Sequence, residues 1–183
     1  MNRGRGDDEP DGPGRVDRPD RTDRTDGVEL RAGRLDDGVA VADVFAAARA
    51  EMRYLPDLHS RQEHVTFFST RVLPTSHVTV AEAEADRAVV AFSAVRGGWL
   101  EHLYVVPAHQ GRGIGGVLLR RAMNENPAGL WLWAFAANVR AIAFYGRAGF
   151  AEVLRTDGSR NEERQPDVQM HWAGDSKSSA ARG

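Results

Sequence analysis

Leu100-Glu-His-Leu-Tyr-Val-Val-Pro107-Ala-His-Gln110-Gly-Arg-Gly113-Ile-Gly-Gly116 is the stretch on which the fold turns. Residues 99–106 are rich in aromatic and β-branched side chains and read as a strand. Pro107 stops it, because a proline has no N–H for the ladder. The glycines from 111 to 116 then open a helix with Val117, Leu118, Leu119 and Ala122 on its apolar side. A helix start leaves backbone N–H groups unpaired and pointing outward, and the helix dipole adds partial positive charge there. Glycines let a phosphate approach with no Cβ in the way. Strand, glycine loop and helix together predict an anion site, most naturally for a diphosphate.

Working outward, residues 28–31 read as a first strand. Asp36 or Asp37 caps a helix carrying Val41, Val44, Phe45 and Ala48 at helical spacing. Pro56 interrupts, and Ser60 with Glu63 three residues on forms a capping box for a second helix, which Pro74 ends. Residues 77–83 and 88–95 form a hairpin across the polar stretch 84–87. Beyond the glycine loop, Pro127 and Gly129 end the helix, and residues 130–135 form a strand with Trp131, Trp133 and Phe135 on one face. Asn138 caps a helix over 139–147, stopped by Gly149, and residues 150–154 and 167–172 are the last strands. Helices and strands are interspersed without strict alternation. This predicts an α/β (α+β) fold: one mixed sheet of about seven strands flanked by about four helices.

The chain has 183 residues, enough for one domain with a sizeable core. That domain is expected over residues 27–173. Residues 1–26 are rich in Gly, Pro, Asp and Arg and nearly free of large apolar side chains, so they read as a disordered tail. Residues 174–183 read as a second, flexible tail. A net charge of −2 gives no global footprint for nucleic acid. The absence of cysteine removes disulfides, thiolate metal sites and a cysteine nucleophile together. No stretch has the length of a membrane span, and the N-terminal residues lack the apolar run of a signal peptide. The expected location is the cytoplasm, with no membrane, nucleic-acid or metal partner.

Three ligands compete for the loop. Gly111-x-Gly113-x-x-Gly116 matches a dinucleotide fingerprint, but no acidic residue stands on the next strand to hold a ribose. A P-loop needs Gly-Lys-Ser/Thr, and the only lysine in the chain is Lys177. Gln110-x-x-Gly113-x-Gly115 closely resembles the pyrophosphate loop of the GNAT N-acetyltransferase superfamily. Leu103-Tyr-Val-Val-Pro107 precedes it as in that family, and Asn138-Val-Arg-Ala-Ile-Ala-Phe-Tyr145 with Gly149-Phe150 is similar to the family's second signature.

The resemblance implies acetyl-CoA as co-substrate, a sheet splayed between its fourth and fifth strands, and transfer of acetyl to a primary amine by direct attack. Leu103, Tyr104 and Val105 would pair with the pantetheine arm, with the Val105 N–H polarising the thioester carbonyl. Gln110, Gly111, Gly113, Ile114, Gly115 and Gly116 would cradle the diphosphate, with Arg112 as a further charge partner. Asn138 would hydrogen-bond the pantetheine, and Tyr145 would be the general acid for the leaving thiolate. Glu101 is the candidate general base: period-2 alternation puts it on the face of Leu103. Some family members carry a glutamate where this chain has Trp133, a departure from the ribosomal-protein N-terminal acetyltransferases. His59, Glu162 and Glu163 are candidates for the acceptor side. The acceptor is a small-molecule or peptide amine, and a homodimer is an assembly open to the chain. A non-catalytic acyl-CoA sensor or interaction module is the alternative.

Overall fold

The computed structural model describes residues 24–25 and 27–174, so both predicted tails lie almost wholly outside the described residues. Its strands are β1 (Arg24–Thr25), β2 (Val28–Ala32), β3 (His77–Ala83), β4 (Val89–Arg96), β5 (Trp99–Val105), β6 (Leu130–Phe135), β7 (Ala151–Thr156) and β8 (Asp167–Trp172). Its helices are α1 (Gly38–Arg49), α2 (Arg61–Phe67), α3 (Leu73–Thr75), α4 (Ile114–Glu125) and α5 (Val139–Arg147). A π-helical stretch, Phe68–Val72, joins α2 to α3, so the two read as one helix that runs through Pro74 to Thr75, one residue past the predicted stop. The sheet order is β1-β2-β3-β4-β5-β6-β8-β7. Seven of these strands are the predicted ones, and β1 adds a two-residue antiparallel pair against Val28 and Glu29.

All neighbours are antiparallel except β5 and β6, which touch at one parallel pair, Trp99 with Trp131. The sheet is therefore joined at the start of these strands and open at their ends. Helices cover both of its faces. Phe68, Phe92, Val41 and Val80 form a core under α1 and α2. On the opposite face Leu118, Ile114 and Ala91 pack beneath α4, and Leu119, Leu130, Leu132 and Phe150 pack between α4 and α5.

Asp37 precedes α1 but does not cap it. Its carboxylate accepts two bonds from the Arg31 guanidinium, both 2.7 Å, and one from the Arg34 backbone N–H. These bonds hold its carboxyl below the usual range. The Ser60–Glu63 capping box forms as its spacing requires, with Ser60 N–H donating to Glu63 over 2.8 Å.

Candidate active site

The opening between β5 and β6 is the floor of a cleft of about 870 Å³, walled by the glycine loop, α5 and the segment after α1. What β5 presents to it follows from the ladder. The Val106 N–H donates to the Val90 carbonyl over 3.0 Å, and Tyr104 lies opposite Phe92. Opposed residues in an antiparallel pair alternate between bonded and non-bonded. Tyr104 thus uses its main chain on β4, while Leu103 and Val105 turn theirs into the cleft. The Val105 carbonyl accepts from the Gln110 side-chain amide over 3.1 Å, which fixes the loop against the strand. Of the three residues expected to pair with pantetheine, two offer backbone and Tyr104 offers its phenol. That phenol is half-buried against Phe45 and Phe92, and desolvation pushes it up to about 12.

Gly111 and Gly113 have φ of +75° and +83°, the left-handed region where a Cβ would be strained. Gly113 is the N-cap of α4, and the turn exposes the N–H groups of the first helical residues. Gly115 lies flat against β5, where an added Cβ would stand 3.6 Å from Leu103 and 3.7 Å from Val105. Gln110, Gly111, Gly113, Ile114, Gly115 and Gly116 all line the cleft. The Ile114 side chain, however, is buried in the core beneath α4 and serves to anchor the loop. Arg112 does not line the cleft; Arg140 and Arg147, which the sequence did not single out, do so from α5.

Asn138 is the N-cap of α5, its Oδ1 accepting the Ala141 N–H over 3.1 Å. This cap aims the helix start at the cleft. Two turns on, Tyr145 reaches the same cleft, 9% exposed, its ring 5.7 Å from Phe150. Burial holds its phenol well above the usual range, so it is a protonated hydroxyl. Gln110, Asn138 and Tyr145 therefore converge on one cavity.

Glu101 does not join them. The register of β5 against β4 shifts between Ala94–His102 and Val95–Leu100, leaving Glu101 as the extra residue of a bulge. Leu100 and Leu103, three apart, both pack against the core between α4 and α5. Side-chain alternation along β5 is broken at that bulge, so Glu101 does not share the face of Leu103. Its carboxylate is held by Arg96 at 2.5 Å, away from the cleft lining. Glu101→Gln is accordingly expected to leave any acetyl-transfer rate within about twofold, as for an exposed ion pair of small energetic weight. A rate loss above tenfold would return Glu101 to the mechanism. His102 turns to the other face, among Phe45, Phe68 and Phe92, where burial pushes it down to about 4 and keeps it neutral.

The three acceptor-side candidates meet through two loops. His59, after α1, lies 2.9 Å from Glu162 in the β7–β8 loop. Glu163 in the same loop pairs with Arg49, the last residue of α1, at 3.0 Å. Neither His59 nor Glu162 lines the cleft; they join the loop after α1 to the β7–β8 loop beside it. Tyr54, in the loop after α1, was not singled out in the sequence. It lines the cleft, and its buried hydroxyl approaches Asn138 without hydrogen-bond geometry. No local pattern marks such a residue, because its place depends on how the loop after α1 packs.

Residues 74–152 match the family model described as an acetyltransferase (GNAT) domain. The streptothricin acetyltransferase of Streptomyces lavendulae is 40% identical over 83 residues, covering 40% of this chain and 44% of that protein. The chain thus spans under half the length of that curated relative. Among solved structures, apo YjaB from Escherichia coli superposes with a TM-score of 0.65 at 23% identity, over 81% of this chain and 99% of that one. YncA from Salmonella typhimurium, solved with its cofactor acetyl-CoA, gives 0.61 at 18% identity over 81% and 94%. The ribosomal-protein-S18-alanine N-acetyltransferase of Escherichia coli gives 0.63 at 20% over 85% and 99%. Identities this low carry the fold and nothing finer.

Proposed function

We propose that the chain is a member of the GNAT superfamily, on the strength of the family-model match over residues 74–152, and that it is an acetyl-CoA-dependent N-acetyltransferase acting on a primary amine. The observation that carries this reading is the convergence, on one cleft, of three groups. They are the cleft-facing backbone of Leu103 and Val105, the left-handed glycine turn before α4, and the protonated hydroxyl of Tyr145. The cleft suits the size of a cofactor arm, and its glycine end suits a diphosphate.

In the proposed reaction the neutral acceptor amine attacks the thioester carbonyl carbon while acetyl-CoA lies along β5. The C–N bond forms, and charge gathers on the carbonyl oxygen, where the Val105 N–H stabilises it. The intermediate collapses by breaking the C–S bond. Tyr145 gives its proton to the departing sulfur, and the nitrogen loses its proton to water, which returns a proton to Tyr145. With Glu101 outside the cleft, no carboxylate of that strand takes the amine proton. The streptothricin acetyltransferase relative supports a small-molecule amine as acceptor.

The test is calorimetry with acetyl-CoA, followed by thiol release across a panel of primary amines. Absence of acyl-CoA binding would sink the reading. A non-catalytic acyl-CoA sensor is the second reading, favoured by one observation: Glu101 is bound to Arg96 outside the cleft. Tight acetyl-CoA binding with no thiol release for any amine would select it.

A further inference from the structure

A second cavity, of about 680 Å³, opens beside the β7–β8 loop. Its floor is the face of β6, β8 and β7 opposite to α4 and α5. In register there, Trp133 lies opposite Gln169, and Phe135 opposite Asp167. Leu154 and Thr156 of β7 face the same two β8 residues. Trp133 is 43% exposed and Leu154 49%, so an indole and an aliphatic chain are both open to the cavity. An indole left on a cavity floor is a surface that a ligand can cover.

The wall carries charge. Asp157, Glu163 and Asp167 line the cavity with Arg160 as a counter-charge, and Arg49 pairs with Glu163 at its edge. Asp157 accepts the Ser159 backbone N–H over 2.9 Å, which holds its carboxyl below the usual range and therefore ionised. Asp167 accepts from Asn161 over 2.9 Å and from the Thr156 hydroxyl, so its carboxylate is fixed in place. Among the lining residues three carboxylates stand against the one guanidinium of Arg160, over a tryptophan, the best ring for a cation; Arg49 and Arg164 stand at the edge, on Glu163 and on the Ser159 carbonyl.

The cavity adjoins the cofactor cleft. The Phe135 ring lies 6.2 Å from Tyr54, which lines that cleft. On the other side, Arg49 stands between Glu163 of the cavity and Ala48 and Glu51 of the cleft.

A reacting amine must be neutral, and neighbouring carboxylates favour its charged form. An acidic cavity next to the reaction centre is thus suited to a different group of the same molecule. We infer that the second cavity binds a non-reacting cationic group of the acceptor, over Trp133 and beside Asp157, and that the acceptor is a diamine or polyamine in chemical class. The inference rests on the acetyltransferase reading for what happens to the other amine, and on the cavity alone for the binding of the cation.

The test uses full-length protein loaded with coenzyme A, so that no turnover occurs. Binding of 1,5-diaminopentane and of pentylamine is measured by calorimetry. The diamine is expected to bind at least tenfold more tightly. In Trp133→Ala and in Asp157→Asn the preference should fall to within about twofold, with coenzyme A affinity unchanged. Both positions are solvent-exposed, so folding is not at stake, and the asparagine retains an acceptor for the Ser159 N–H. Equal affinities in the wild type, or a preference intact in both variants, would overturn the proposal. A preference that vanishes in the variants, in a protein that moves no acetyl group, would leave the cavity as assigned and remove the transferase reading instead.

Discussion

Tyr145→Phe is expected to lower kcat by about 10²-fold while leaving the acetyl-CoA Kd within twofold. The substitution removes one oxygen and no packing. The ring lies 5.1 Å from Phe144 and 5.7 Å from Phe150 within the core between α4 and α5, and a phenylalanine keeps both contacts. Only the proton is lost. Proton transfer by a positioned acid is worth about 10² to 10⁴ in rate. The lower end applies because a thiol ionises near pH ~8.5 if it resembles cysteine, so the sulfur can depart as a thiolate unaided. Stopped-flow or steady-state thiol release, beside calorimetry on the same preparation, separates kcat from binding. A kcat within threefold of the wild type would place the acid elsewhere. The pH profile carries the same signature. Burial raises the Tyr145 phenol above its usual value of about 10, so the active protonated form persists through pH 10. The wild-type rate should rise as the amine loses its proton and show no falling limb below pH 10.

How much of this site could be read from the residues depends on how local each feature is. The glycine turn is local: left-handed φ at Gly111 and Gly113 needs glycine, and a helix follows at once. The Asn138 cap and the Tyr145 position seven residues on are also local, since both lie on one short helix. The splay between β5 and β6 is not a property of either strand, and only the family resemblance supplied it. Glu101 shows where a periodicity argument breaks. Alternation assumes an unbroken ladder, and a single bulge beside it moved Leu100 onto the face of Leu103. Asp37 failed as a cap for a related reason: Arg31, on a neighbouring strand, competes for its carboxylate and wins with two bonds. His59, Glu162, Glu163 and Arg49 form pairs only because two loops over 100 residues apart meet beside the cleft. Chain patterns reveal the half of the cleft that one strand, one loop and one helix make. They do not reveal the half that long-range packing makes.

Gly113→Val should abolish measurable acetyl-CoA binding, raising Kd by about 10² or more, in a protein that still folds. At φ of +83° a β-branched side chain meets the following carbonyl. The native turn then lies about 1–2 kcal/mol above alternatives that keep φ negative. Gly113 is exposed and the core beneath α4 is held by Ile114, Val117 and Leu118, so the helix body stays docked while its first turn rearranges. That rearrangement turns the N–H groups of the first helical residues away from the diphosphate. Hydrogen bonds to a charged group are worth about 1.5–3 kcal/mol each. Losing two of them corresponds to the stated change in Kd at about 1.4 kcal/mol per tenfold. Circular dichroism would confirm the fold, and calorimetry would read the affinity. The comparison variant is Gly116→Ala: Gly116 has no left-handed φ, and an added Cβ would have as its nearest neighbour the Arg120 guanidinium at 3.5 Å. It should lose much less than Gly113→Val. If both variants bind acetyl-CoA as tightly as the wild type, the diphosphate does not sit at the start of α4, and the cofactor must enter the cleft in another pose.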